Sequence, residues 1–203
     1  MTSTHEILVR SAGLVTQIPR PGDGFPSADE AAHWRPRGCG IACVRMILDT
    51  HGIEGDTYWS LVTEGVDAGA YCDRGWIHQG LVDMLSQRGI RGHARRRVSV
   101  DDLAGELAQG RLVIASVTAN FRGGELRLAP EIGTYPTGGH LVLVTGVSVV
   151  DGVVSALRVH HPSATEENNR ADHWVDAAPF AASFSGNLMA FDGGAAASDS
   201  SDR

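Results

Sequence analysis

The segment RPRGCGIACVRMIL, residues 35–48, places Cys39 between two glycines at the start of a predicted helix. From residue 40 to residue 51 the pattern is helical, and apolar side chains occupy nearly every side of that helix. Arg45 and Asp49 are its clearly polar residues. A helix that is apolar almost all round is buried inside its domain. We therefore expect a central helix with Cys39 at its N-terminal end.

Two roles are open to Cys39. A thiol at a helix N-terminus lies at the positive end of the macrodipole, which lowers its pKa and favours the nucleophilic thiolate. The alternative is a buried structural cysteine, which behaves as a small apolar side chain. The flanking glycines and a histidine at the start of a later strand favour the nucleophile. Cys43, one turn into the same helix, is expected to pack in the core.

The composition is that of an ordinary globular protein. The chain has 203 residues, is 42% hydrophobic and carries a formal charge of -7. We expect one domain over residues 1–192 and a disordered tail over residues 193–203. An acidic chain gives no general reason to expect nucleic acid or an anionic membrane as a partner. The odd count of three cysteines and the lack of a secretion signal or membrane-spanning stretch predict a cytoplasmic protein without disulfides.

The remaining pattern predicts an α+β fold, with helices first and an antiparallel sheet second. Helices are expected after Asp56, from about Ile77 to Arg88, and after Ser99, which with Asp102 forms a capping box. Three strands follow, and Asp151-Gly152 joins the last two. Asp-Gly between two apolar runs is a strong hairpin signal. The strands are predicted from Leu112, from His140 and from Val153.

The hairpin fixes which histidines share a face. If Asp151-Gly152 is a two-residue loop, Leu143 lies opposite His160. His140 and His161 are then diagonal neighbours on one face of the sheet, while His160 points to the other face. A histidine at a strand end can act as base and then as acid for a nearby thiol, and a third polar group must fix its tautomer. A bulge in the hairpin would change this pairing.

Three short segments carry a resemblance to a known family. "GCGIACVRMIL", "GGHLVLVTGV" and "VHHPS" together resemble the bacteriocin-processing, double-glycine leader cysteine peptidase family and its stand-alone relatives, over roughly Gln17 to Phe191. The resemblance implies a papain-like fold with Cys39 as nucleophile and His140 as base. The family usually ends the next strand in Asn-Asp-Pro or Asp-Pro, but this chain has His161-Pro162. Imidazole therefore replaces the orienting carboxylate.

The resemblance also implies a glutamine that donates a hydrogen bond to the oxyanion, often six residues before the cysteine. His33 occupies that position here. Gln17 is the alternative donor if residues 19–30 form an insertion. Weaker candidates for the third, orienting group are Ser163, Asn168 and Asn169.

Thiol-mediated cleavage of a specific peptide or amide, through a thioester and without a cofactor, is the expected activity. An acyl- or peptidyltransferase, in which an amine takes the place of water, remains open, as does a non-catalytic peptide-binding relative. Cys39, His140 and His161 are also three plausible zinc ligands, although their local spacing is not typical of a zinc site.

The basic run over residues 88–97 is either a solvated edge or a docking surface for an acidic leader peptide or an acyl-carrier protein.

Overall fold

The computed structural model of the protein describes residues 2–121, 126–127, 134–135 and 139–194. Most of the predicted tail lies outside this range. The helices of the described part are α1 (Ala28–Trp34), α2 (Cys39–Thr50), α3 (Tyr58–Asp67), α4 (His78–Ser86), α5 (Val100–Ala108) and α6 (Ala177–Ser183). Its strands are β1 (Thr4–Leu8), β2 (Tyr71–Cys72), β3 (Gly75–Trp76), β4 (Gly92–Arg96), β5 (Arg111–Val117), β6 (Leu126–Arg127), β7 (Thr134–Tyr135), β8 (His140–Val150), β9 (Val153–His161), β10 (Arg170–Asp176) and β11 (Phe184–Asp192).

An antiparallel sheet organises the described part of the chain. Its strands run in the order β10-β9-β8-β5-β11-β4, and β1 pairs with the C-terminal half of β8. The buried helix α2 packs against β8, in the middle of this order. The α+β class predicted from the sequence is therefore confirmed. β1 and β4, which come from the mainly helical N-terminal part, also join the sheet.

The β8–β9 hairpin contains two bulges that cancel. Asp151 and Gly152 have φ angles of 49° and 82°, which is the type I′ turn that the sequence predicts. On β9 an extra residue, Ser155, shifts the register by one, and on β8 an extra residue, Thr145, shifts it back. Leu143 consequently pairs with His160, as a hairpin without bulges would have it.

The N-terminus of α2 is fixed by two aromatic side chains. The Tyr58 hydroxyl donates a hydrogen bond of 2.6 Å to the carbonyl of Gly38, the N-cap residue. The Trp76 indole N–H donates to the Arg37 carbonyl at 2.7 Å. A Cβ added to Gly40 would lie 2.7 Å from the Trp76 ring, so the glycine after Cys39 lets the indole pack on the helix. The first turn of α2 is thereby held in one position against its neighbours.

The helix start predicted at Ser99 is found in the structure. Ser99 and Asp102 form the capping box of α5, and the Ser27 hydroxyl accepts a hydrogen bond from the Glu30 N–H at the start of α1. None of the helices in the described ranges is long and apolar enough to cross a membrane.

Candidate active site

Cys39 is the first residue of α2 and has 8% of its surface exposed. Burial raises the pKa of its thiol, and the backbone N–H groups of Leu141, Gly40 and Cys39 oppose that rise. Desolvation outweighs these N–H groups, so the thiol pKa is raised here, whereas the position at the helix N-terminus predicted a lowered one. The Leu141 N–H also joins Cys39 to β8, directly after His140.

His140 begins β8 and lines the same cavity as Cys39, which has a volume of about 270 Å³. Burial and, to a smaller extent, the neighbouring His161 lower the pKa of His140 to about 3, against a hydrogen bond to the Pro162 carbonyl that raises it. Its Nε2 atom is buried and has no hydrogen-bond partner among the described residues. The ring is therefore neutral at neutral pH and is able to accept a proton.

His161 lies beside His140, with 4.8 Å between the ring centroids. Its Nδ1 donates a hydrogen bond of 2.9 Å to the Asn168 carbonyl, and the centroid of the Phe121 ring lies 5.7 Å from that of His161. Burial lowers the pKa of His161, so this ring is neutral as well. With the proton on Nδ1, Nε2 carries the lone pair, and this buried atom has no partner within the described ranges. The ring can therefore accept a hydrogen bond but supplies no negative charge.

His160 faces away from this site, as the hairpin register predicts. Its Nε2 lies 3.1 Å from the Ser11 hydroxyl, and its Nδ1 accepts a hydrogen bond from the Asp172 N–H.

The side chains of the other candidates for the group that orients His140 form hydrogen bonds within the turn after β9. The Asn169 side chain accepts from the Ser163 N–H, and the Asn168 side chain donates to Thr165. It is the backbone carbonyl of Asn168, rather than its side chain, that contacts His161.

The two predicted oxyanion donors lie in different places. Gln17 is 4% exposed and packs against the residue before the nucleophile, since a Cβ added to Gly38 would lie 3.1 Å from the Gln17 Cβ. Its Nε2 donates to the Arg35 carbonyl at 2.8 Å, and its Oε1 is buried without a partner among the residues described. His33 is exposed on α1, whereas Gln17 is buried beside Gly38, and neither residue is among those that line the cavity. Gln17 is therefore the better placed of the two.

Several cavity residues carry no signal in the sequence pattern. Tyr71, Trp76 and Arg37 line the cavity with Cys39, and β2 and β3 bring the two aromatic rings to it. Their centroids lie 4.9 Å apart. Trp76 is both buried and part of this wall. Two-residue strands are too short to produce a periodic pattern, so the sequence does not indicate this wall.

The described residues hold no group of three or more His, Cys, Asp or Glu side chains arranged to bind a metal ion.

The positive charge of the basic run over residues 88–97 is largely neutralised by carboxylates within the protein. Arg88 pairs with Asp56 and Glu64, and Arg95 pairs with Asp102 and Glu106. Most of this surface is therefore a set of internal ion pairs.

The chain was compared with known proteins. No family model and no curated protein matches it. Solved structures do match. One is a double glycine motif protease from an AMS/PCAT transporter in complex with the leader peptide, with 14% identity, a TM-score of 0.51, and coverage of 92% of this chain and 94% of that chain. Another, a Bacillus anthracis protein described as C39-like peptidase, has 13% identity, a TM-score of 0.50, and coverage of 89% and 97%.

Identities this low establish the fold alone. The match extends over most of the described sheet and helices, in agreement with the resemblance found in the three sequence segments. The chain therefore has the papain-like fold of the double-glycine-motif peptidases.

Proposed function

We propose that the protein is a cysteine peptidase or amidase-like enzyme that cleaves a specific peptide through a thioester at Cys39. The observation that carries this proposal is that Cys39, at the start of the buried helix, and His140, at the start of β8, line one cavity. A thiol and a neutral imidazole beside one cavity are the groups that acyl transfer from an amide needs. The similar structure of a double glycine motif protease, which is in complex with a leader peptide, supports a peptide as the substrate.

In this proposal the resting site holds a neutral thiol and a neutral imidazole, since burial disfavours both charged forms. His140 takes the thiol proton as the sulfur attacks the carbonyl carbon, and gives it to the leaving amine as the C–N bond breaks. Water then releases the acyl group from the thioester. The N–H of Cys39 and the Gln17 amide are the proposed oxyanion donors.

His161 is the proposed orienting residue. Its Nε2 lone pair and the buried Nε2 of His140 both lack partners within the described chain, so the two atoms suit each other once His140 carries a proton on Nε2. In the neutral ring Nδ1 donates to the Pro162 carbonyl, so Nε2 accepts the thiol proton and the imidazolium then donates to His161. A neutral imidazole stabilises the imidazolium less than a carboxylate does, since it offers a hydrogen bond without charge.

The cytoplasm remains the proposed location. The three cysteines are free, which suits a reducing compartment.

The test uses peptides whose scissile bond follows Gly-Gly, together with a mixed peptide library, and follows cleavage and the intact mass of the protein. We expect cleavage and an acyl adduct on Cys39 that hydroxylamine releases. Cys39→Ser should lower the rate about 10⁴-fold or more, as removal of a nucleophile does. The exposed Cys72 gives the matched control, and Cys72→Ser should keep full activity. Absence of both cleavage and adduct would remove the proposal.

A further inference from the structure

The cavity that holds Cys39 and His140 also contains two arginines. Arg37 lies two residues before the nucleophile, and Arg74 lies in the turn between β2 and β3. Neither of them forms an ion pair with a carboxylate in the described ranges. Arg88 and Arg95, by contrast, each bind two carboxylates. The two cavity arginines therefore present charge that the described part of the protein does not neutralise.

Arg37 is held in place by neutral oxygens. Its Nη1 donates a hydrogen bond of 2.7 Å to the His33 carbonyl, and its guanidinium also bonds to the Tyr71 hydroxyl. The side chain is half-buried. A guanidinium has five N–H donors, and these two acceptors leave donors for a ligand. Arg37 is therefore fixed in position while its charge stays available.

The rest of the lining does not cancel this charge. Asp73 is the acidic residue of the lining, but it is exposed, and no ion pair joins it to either arginine in the described structure. His78 lines the same cavity. Burial lowers the pKa of His78, and the nearby positive charge of Arg96 lowers it by a smaller amount. Arg96 extends the positive region to the end of β4. In a chain of net charge -7, this mouth carries an excess of positive charge.

We propose that the Arg37–Arg74 end of the cavity binds a carboxylate of the substrate close to the scissile bond. This inference rests on the proposed function, because it places that bond at Cys39. Arginine binds carboxylates through two parallel hydrogen bonds, which gives direction as well as charge. The carboxylate is either the side chain of an acidic residue beside the scissile bond or the free C-terminus of a short product or substrate.

The test compares two alkylating reagents that differ in charge. Iodoacetate is anionic and iodoacetamide is neutral, and both react with the same thiolate, so the ratio of their rates at Cys39 cancels changes in thiol pKa. Peptide mapping would measure the ratio in a Cys72→Ser background. We expect Arg37→Gln to lower it by roughly 3- to 10-fold, as loss of a nearby charge does. Arg74→Gln should lower it by a smaller factor, because that side chain is exposed.

Two variants control for unrelated effects. Arg37→Lys keeps the charge and should retain most of the ratio even if the turn relaxes. Arg91→Gln removes a charge from an exposed side chain that pairs with Asp192 away from the cavity, and should leave the ratio unchanged. An unchanged ratio in the Arg37→Gln, Arg74→Gln double variant would overturn the proposal.

A second pair of reagents separates this proposal from the proposed function. Anionic and cationic methanethiosulfonates modify thiols that lack catalytic activation, so an anion preference that depends on Arg37 is measurable even in a protein that cleaves nothing. Protection of Cys39 by acetyl-Gly-Gly-Asp-amide, but not by the Asn analogue, would identify the side-chain carboxylate. Protection by acetyl-Gly-Gly with a free C-terminus would identify the terminal one. Protection by none of these peptides at high concentration would count against the subsite.

Discussion

The imidazole rings of His140 and His161 lie 4.8 Å apart between centroids, tilted by 51° to each other. One ring begins β8 and the other ends β9. The Asn168 carbonyl holds the proton of His161 on Nδ1. An imidazole with a fixed tautomer thus stands where the family that the sequence resembles usually has a carboxylate.

Removing His161 should reduce activity without abolishing it. His161→Ala deletes the acceptor that orients His140, and we expect kcat/KM to fall roughly 10- to 1000-fold, less than the ~10⁴-fold seen where the orienting partner is charged. His161→Asn retains an acceptor and His161→Asp adds a charge, so both should retain or improve activity. The measurement is kcat/KM on a peptide that Cys39 turns over.

His160 provides the matched control for that series. It faces Ser11 and Asp172 on the opposite side of the sheet, so His160→Ala should lower the melting temperature but leave kcat/KM of the folded protein nearly unchanged. A silent His161→Ala together with an inactive His160→Ala would contradict the assigned site.

The reactivity of Cys39 in the free protein should rise with pH. Burial raises the pKa of its thiol, so the thiolate fraction is small at neutral pH and grows as the pH increases. At about pH 6 we expect iodoacetamide to modify Cys39 roughly 10-fold more slowly than it modifies N-acetylcysteine, since thiolate fraction and access set the rate. Cys43, which has no exposed surface, should remain unmodified at every pH.

The measurement is the intact mass of the protein, with peptide mapping, after short pulses between about pH 5 and pH 9. A high rate that does not change over this range would instead indicate a thiolate–imidazolium pair in the free protein.

Two substitutions show whether Gln17 or His33 donates the hydrogen bond to the oxyanion. Gln17 packs beside Gly38, whereas His33 is exposed on α1. Gln17→Ala should lower kcat about 10²- to 10³-fold if its amide stabilises the oxyanion, with little change in KM. His33→Ala should have no effect on either constant. Equal and small effects of the two substitutions would leave the backbone N–H of Cys39 as the oxyanion donor.

Gly38 should not tolerate a larger side chain. A Cβ there would lie 2.2 Å from the Tyr58 hydroxyl, the group that donates to the Gly38 carbonyl. Gly38→Ala should therefore lower the free energy of unfolding by about 1–3 kcal/mol, as overpacking does. Gly105→Ala in α5 is the control, because that position is open, and it should raise the free energy by up to about 1 kcal/mol. Urea unfolding measures both, and an unchanged midpoint for Gly38→Ala would contradict the tight contact.

The helix and the hairpin could be predicted because their signals are local. The apolar pattern around Cys39 identifies the buried helix α2, and Asp151-Gly152 identifies a turn that requires two positive φ angles. The placement of His140 and His161 on one face follows from counting residues outward from that turn. The count holds because the bulges at Thr145 and Ser155 offset each other, which the sequence does not indicate.

The sequence by itself determined the fold class, the helix that carries the thiol and the histidines that share its side of the sheet, because periodicity and turn chemistry act over a few residues. The tertiary structure decided the protonation of the site and the surroundings of the thiol. Burial outweighs the helix dipole at Cys39, and the Asn168 carbonyl selects the tautomer of His161. The guanidinium of Arg37, which pairs with no carboxylate among the described residues, lines the same cavity. These properties depend on desolvation and on contacts between distant segments, which a local pattern does not contain.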